Sequence, residues 1–548
     1  MHAPSDADAR FDRTIDRWHR QMLELDPEGA TYLGVHDHDD RLSDGTREHV
    51  EQLVAFHRDS IAEMERFPAE ELSAERALDR DLVIHEARLA IHQLAERRDW
   101  AGSSRGAEHI GNALFPIFTR DYAPLEERLT TIAARLEAAP AYLAQTRTRV
   151  DEPVRLWVEI DIEGSASLPE FLDTILAAAG SEHLDAALLA RLQAAAGGLR
   201  TALDEHVAWL HHDALPRANG SWQTGRDGFD QLVELRALDA TSDEILAVGE
   251  HMLAEETACR ERVSTEIDPT LSPAEVADLV KENHPATFPE AIEEYRLAMD
   301  RARDFIVEHD LATLPAQDRL RVIETPSFER HLIPFAAYYE PARFDPDPIG
   351  TYIVTPPVSP DMWREHNYAS ISNTSVHEAY PGHHLQLAAA TANPSLVRAW
   401  SLSAAEFAEG WAFYCERMMK DSGFDDSPTH RWVMHTDAIW RAARIILDIR
   451  LHRGEMSFDE AVAFLVDHTG FEHPAALAEV KRYTATPTYA LSYLYGRHMI
   501  EGLRDRVRAR MGPAFNLKFF HDTLIYGGTM PVSYAERLFD AKLAGSAR

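Results

Sequence analysis

Val376-His377-Glu378-Ala379-Tyr380-Pro381-Gly382-His383-His384-Leu385-Gln386 opens like a zinc-hydrolase helix and then departs from one. His377 is followed by an acid, but Pro381-Gly382 occupies the place where the second histidine of H-E-x-x-H would stand. On an unbroken helix, residues i and i+4 share a face, so both imidazoles reach one ion. Here the later histidines fall at i+6 and i+7. The first would point roughly 120° away, and the second would sit roughly 10.5 Å further along the axis. Zn–N bonds of about 2.0–2.1 Å span neither separation. The dipeptide that spoils the spacing also disrupts the helix that imposes it. Pro381 lacks an N–H and its ring clashes with the carbonyl of His377, while Gly382 permits backbone angles that other residues avoid. The stretch therefore predicts a kinked or bulged helix that carries one later histidine back towards His377. Deleting Pro-Gly restores H-E-x-x-H with His383 in second position, which favours His383 over His384.

A third ligand should be acidic and come from a following helix. The run 403–416, Ser-Ala-Ala-Glu-Phe-Ala-Glu-Gly-Trp-Ala-Phe-Tyr-Cys-Glu, offers Glu406, Glu409 and Glu416. Glu409 follows His383 by 26 residues, enough for one helix to finish, a turn through Asn393-Pro394-Ser395, and an antiparallel return. The three glutamates fall roughly on one helix face, and spacing does not separate them. Two histidines, one glutamate and an open coordination position would suit a catalytic zinc, with Glu378 as general base.

The pattern H-E-x-x-P-G-H, matched by His377 to His383, and the E-G-W-A block at Glu409 to Ala412 resemble the signature of the bacterial domain-of-unknown-function 885 family. That family resembles the gluzincin metallopeptidases with helical bodies, the carboxypeptidase Taq and angiotensin-converting-enzyme folds. Gly225 to Leu232 and the region from Ile333 onward also look like the family. The resemblance implies His377, His383 and Glu409 as ligands of Zn²⁺, Glu378 as base, and a short peptide bound in a deep cleft.

Two downstream blocks could complete such a site. Arg444, Asp448 and His452 are spaced four apart and share a helix face, so Asp448 could fix a histidine tautomer and His452 could relay protons. The alternative is a solvated ion-pair ladder. The block 483–497 is rich in tyrosine, and a tyrosine hydroxyl suits the oxyanion of a tetrahedral intermediate. Tyr493 is the first choice. Arg497, one turn on, could hold a substrate carboxylate, and His384 is expected to face the substrate. The family often carries Gly-Gln where this chain has Thr488-Tyr489, so the resemblance carries no substrate role to position 489. For Tyr489 and Tyr495 the alternative reading is aromatic core packing. His206, His211 and His212 sit in no motif and read as surface or packing residues.

The chain has 548 residues, 45% of them hydrophobic, which is ample for a large core. A net charge of −36 argues against nucleic-acid binding and for a soluble protein. No run approaches ~18 uninterrupted apolar residues, and the first residues lack an apolar signal core, so no membrane span or leader is expected. Cys259 and Cys415 do not suggest a disulfide framework, which makes the cytoplasm the expected compartment.

Helical periodicity dominates the chain. Phe11, Ile15, Trp18 and Met22 form an apolar stripe, and helices are expected at 125–147, 183–213, 241–265, 272–284 and 288–309, with Ser272-Pro273 starting the fourth. Between about 317 and 356 the texture changes. Arg319–Glu324, Phe335–Glu340 and Gly350–Thr355 read as strands of a small sheet, either a structural hairpin or an edge that holds an extended peptide. The expectation is one mainly α body, with an N-terminal helical part to about residue 220 and a metal-site part from 221 on. Its expected function is zinc-dependent hydrolysis of short peptides. Hydrolysis of a small amide or ester, Fe²⁺ oxidative chemistry on the same ligands, and a non-catalytic binding role stand as alternatives.

Overall fold

The computed structural model describes residues 5–181, 184–325, 330, 333, 336–399 and 403–546. The protein is mainly α-helical, with one three-stranded sheet among the described residues. Its contacts divide it into two compact units. The first comprises residues up to 222 together with 342–348, and the second the described remainder.

In the first unit, the helix Asp6–Leu25 starts at Ser5, whose side chain caps the N–H of Asp8, and it buries the stripe Phe11, Ile15 and Trp18. The Ala/Leu-rich helices Leu125–Arg149 and Ala186–Trp209 pack along each other, joined by Gly106–Thr119 and Arg155–Ser181. Ile110, Leu114, Ile132, Leu136, Leu172 and Leu199 form their common core. Each such side chain, fully buried, contributes about 1.5–3 kcal/mol. His206 is a packing residue held between Ser104 and Arg147, whereas His211 and His212 are exposed.

In the second unit, capping boxes at Thr241 and Ser272 start the helices Ser242–Ile267 and Pro273–Lys281. Ser242–Ile267 lies along Pro428–His452, and Ile245, Leu253, Ile439, Ile445 and Ile446 form their seam. The helix Ala405–Asp421 crosses Ser492–Met511 with the backbones almost touching, because Gly410 and Gly496 face each other. A Cβ on Gly496 would stand 2.1 Å from the carbonyl oxygen of Glu406. The helix Tyr368–Glu378 packs against Phe288–Glu308, Ala405–Asp421 and Pro428–His452. The crossing and this packing together fix where the carboxylates of one helix meet the histidines of the other.

The sheet consists of β1 (Leu320–Glu324), β2 (Ala336–Tyr339) and β3 (Gly350–Val354) in the order β1-β3-β2. β3 is central and fully buried, parallel to β1 and antiparallel to β2, with Val322 opposite Tyr352 and Tyr338 opposite the same residue. Phe335, expected in the second strand, lies outside the described residues.

Candidate metal centre

The sequence predicts a kink at Pro381; the structure shows a complete break. One helix ends at Glu378, four residues turn the chain, and a separate helix, His383–Thr391, begins. The Tyr380–Pro381 peptide is cis. The turn folds back on the end of the first helix: the Gly382 N–H donates to the Val376 carbonyl at 3.0 Å, and the Leu385 N–H to Ala379 at 3.2 Å. A Cβ on residue 382 would lie 1.8 Å from the His377 carbonyl oxygen, so only glycine fits. Trp411 secures the turn from the facing helix, its indole N–H donating to the Pro381 carbonyl at 2.8 Å. The physical reason for a break is that a kinked helix bends but still runs onward past His377. Here the backbone must close against its own carbonyls to return His383 to His377.

That return brings the two imidazoles together, with ring centres 4.9 Å apart and planes at 83°. Nε2 of His383 stands 3.3 Å from Oε2 of Glu409, and Nε2 of His377 stands 3.8 Å from the same oxygen. Donor atoms of the three residues lie within 4.8 Å of one another. Two imidazole nitrogens and one carboxylate oxygen, converging from three helices, are a donor set that fits Zn²⁺ and also Fe²⁺.

The glutamates that spacing could not separate have three different partners. Glu409 faces the histidines. Glu416, two turns on, accepts from Nδ1 of His377 at 2.7 Å and from Asn373 at 2.8 Å, which turns His377 so that Nε2 points to Glu409. Glu406 is fully buried and bound by Arg236 at 2.6 Å, away from the histidines. Burial would lower the His377 imidazole, but the carboxylates of Glu409 and Glu416 outweigh it and push it up to about 10. Burial would conversely raise the Glu409 carboxyl, and the two histidines hold it well below the ordinary range. The carboxylates thus favour positive charge at the point where the donors meet. Glu378 ends its helix half-buried. Burial, with the charge of Glu378 adding to it, keeps the Tyr295 and Tyr352 hydroxyls protonated well above the usual tyrosine range.

Residues 27–538 match the family described as "Bacterial protein of unknown function (DUF885)". The chain belongs to this family. No curated protein matches it. Two solved structures share its fold over nearly the whole length. One is described as a "putative lipoprotein of unknown function" from Shewanella oneidensis, with 22% identity, coverage of 96% of this chain and 99% of that one, and a TM-score of 0.80. The other, a "putative lipoprotein" from Colwellia psychrerythraea, has 16% identity, coverage of 98% and 99%, and a TM-score of 0.81.

In this DUF885 protein the tyrosine that reaches the centre is Tyr489, whose hydroxyl donates to Oε1 of Glu409 at 3.0 Å. The charge of Glu409, with burial, raises that hydroxyl far above the ordinary range. Tyr493 lies edge-on to Tyr489 at 6.2 Å, with the Arg444 guanidinium 4.6 Å from its ring centre. Burial and then Glu409 push Tyr493 up to about 12. The turn that presents Tyr489 is held by Asp448, which accepts from the backbone N–H of Thr488 at 2.9 Å and of Leu491 at 3.0 Å. Arg236 donates to the Thr488 carbonyl from the other side. Thr488 has φ +68°, a costly conformation for a β-branched residue, and the two restraints hold it there.

Four expected roles need correction. Asp448 does not orient His452: burial raises its carboxyl to about 7, and its partners are backbone N–H groups. His452 is fully buried, stacked on Phe229, with Nε2 3.0 Å from the Tyr483 carbonyl, so it lies inside packing rather than on a proton path. Arg497, expected to hold a substrate carboxylate, is 1% exposed and pairs with Glu256 at 3.1 Å. His384, expected to face substrate, is fully buried, its ring nitrogens 2.9 Å from the Tyr338 hydroxyl and 3.2 Å from Asp318. It pins the broken turn to the sheet, where a Cβ on Gly350 would collide with it. Arg444 binds the Tyr483 hydroxyl at 2.9 Å and Glu479 at 3.0 Å, and lies over Trp440, forming a wall behind Tyr493. Helix spacing showed that these residues share a face but not that the face is turned inward.

Among the described helices none is long and apolar enough to cross a membrane.

Proposed function

We propose that this DUF885 protein is a zinc-dependent hydrolase that cleaves short peptides, with a site of the gluzincin kind. The convergence of His377 Nε2, His383 Nε2 and Glu409 Oε2, with Glu378 next in chain to the first ligand, carries this reading. Zinc held by three donors with an open position supplies an acidified water and a Lewis acid for the substrate carbonyl. The chain's own residues account for the remaining steps. Glu378 accepts the proton of the attacking water and passes it to the leaving amine. Glu416 and Asn373 keep the ring of His377 in one orientation throughout. The Tyr489 hydroxyl lies against the centre and Tyr493 beside it, so one of these two donates to the oxyanion as the tetrahedral intermediate forms.

A cytoplasmic site of action fits two unpaired cysteines, Cys259 and Cys415. Two structural relatives carry the description "putative lipoprotein", which makes the cell envelope the alternative, and fractionation of the native host distinguishes the two.

The test of function begins with elemental analysis of the purified chain. One zinc per chain, lost in His377→Ala, is expected. Iron in its place, with O₂ consumption, would favour the oxidative alternative. A screen of short peptides should then give turnover that falls about 100-fold or more in Glu378→Gln, with zinc retained. Full turnover in Glu378→Gln would remove that residue as the base, and metal content indifferent to His377 would remove the centre itself.

A further inference from the structure

A second group of donors lies elsewhere in the same unit. Glu256 and Cys259 are one turn apart on the helix Ser242–Ile267, and His435 faces them from Pro428–His452. One donor atom from each, a carboxylate oxygen, Sγ and a ring nitrogen, lies within 4.8 Å of the others. Two ligands at i and i+3 on one helix, met by another from its neighbour, are a common way for helical proteins to hold an ion.

The contacts of Glu256 divide between its two oxygens. Oε1 accepts from Arg497 at 3.1 Å and lies 3.5 Å from Arg417. Oε2 meets Nδ1 of His435 at 2.6 Å. A buried ion-pair network tying four helices together would account for the arginines and the histidine. It does not call for Cys259. The thiol is half-buried, so it offers access from solvent, and the Arg262 guanidinium lies 2.9 Å from its sulfur. The arginines on Oε1 compensate one negative charge of the group and leave Oε2, the imidazole and the Cys259 sulfur as a mixed O, N and S donor set. Sulfur in that set selects a thiophilic ion over Mg²⁺ or Ca²⁺.

We propose that Glu256, Cys259 and His435 form a second metal site, for zinc-like thiophilic divalent ions, independent of the His377 centre. Binding forms the metal–sulfur bond and releases the Cys259 thiol proton to solvent. The three guanidiniums nearby repel a cation, so this site takes up and releases its ion readily, whereas the carboxylate-backed His377 centre retains one.

Cadmium is the probe, because its bond to a thiolate gives an ultraviolet charge-transfer band that oxygen and nitrogen ligands do not. The full-length His377→Ala chain is titrated with Cd²⁺, which removes the first centre from the measurement. One equivalent with a thiolate band is expected. Cys259→Ser should abolish the band while circular dichroism stays unchanged, since the side chain is nearly isosteric. His435→Gln, which keeps a hydrogen-bonding group against Glu256, should weaken Cd²⁺ binding at least about tenfold. A band that survives Cys259→Ser, no band at all, or a band with unchanged affinity in His435→Gln would each overturn the site; the last would leave only a lone thiol that binds cadmium.

Discussion

Tyr489 donates its hydroxyl to Oε1 of Glu409 at 3.0 Å, while Oε2 of the same carboxylate faces His383 at 3.3 Å and His377 at 3.8 Å. One carboxylate therefore serves the histidines with one oxygen and is steered through the other. Removing the hydroxyl in Tyr489→Phe leaves the ring in place but frees Glu409 to rotate. A loss of about tenfold in metal affinity is expected, by competition with a chelator. Tyr493→Phe should leave affinity unchanged and reduce only turnover, because no ligand contact is lost. Equal metal affinity in both variants and the wild type would show that Tyr489 does not steer Glu409.

Glu416 acts on the opposite ligand. Its carboxylate fixes Nδ1 of His377 at 2.7 Å, and Asn373 holds that carboxylate from behind while also donating to Asp437. Glu416→Gln keeps the shape but removes the charge that makes the imidazole a better donor. Metal affinity should fall about 10–100-fold with little change in fold. Retained affinity with a folded protein would mean that the ring is oriented by packing alone.

Much of the fold was legible because it rests on periodicity. The stripe of Phe11, Ile15 and Trp18, the periodic stretch expected at 241–265, and the start signal Ser272-Pro273 became helices where the pattern placed them. The strand 319–324 was recognisable for the same reason. At the candidate site, the spacing of His377, Pro381-Gly382 and His383 carried the argument as far as a change of direction. It could not distinguish a kink from a break, because that depends on backbone closing over the carbonyls of Val376 and His377. Glu406, Glu409 and Glu416 look alike along the chain, and only the position of Arg236 and of the histidines in space sorts them. Tyr489 was passed over on its departure from the family pattern. What places it is the left-handed backbone of Thr488, which aims the next side chain at Glu409 and is not legible along the chain.

Gly382 offers the sharpest steric test. Alanine there would place a methyl carbon 1.8 Å from the His377 carbonyl oxygen and 2.4 Å from that of Val376, both backbone atoms with no rotamer to adopt. The turn must open, and His383 moves off His377. Gly382→Ala should cost about 3 kcal/mol or more of stability and abolish stoichiometric metal binding. Gly180→Ala, at an exposed position near the end of the helix Arg155–Ser181 with nothing near the added methyl, is the control and should lower neither. A Gly382→Ala chain with normal metal content would refute the closure geometry.

The first unit provides a test that depends on pH. His36 lies between two carboxylates, with Nδ1 2.8 Å from Asp39 and Nε2 2.9 Å from Asp345, and its ring stacks on Tyr122 at 3.6 Å. Burial would lower the imidazole, but the bonds to Asp345 and Asp39 prevail and raise it to about 9. The folded protein therefore keeps this proton to higher pH than the unfolded chain, in which histidine titrates near 6.5. The resulting stabilisation is complete below pH about 6.5 and is lost as pH rises through about 9, with an upper limit of about 3 kcal/mol. His36→Gln should be less stable than wild type at pH about 6 and nearly equal to it at pH about 10. Unfolding midpoints of the two proteins, measured across that range, should converge as pH rises. A constant difference between them would mean that the imidazolium between Asp39 and Asp345 contributes shape rather than charge.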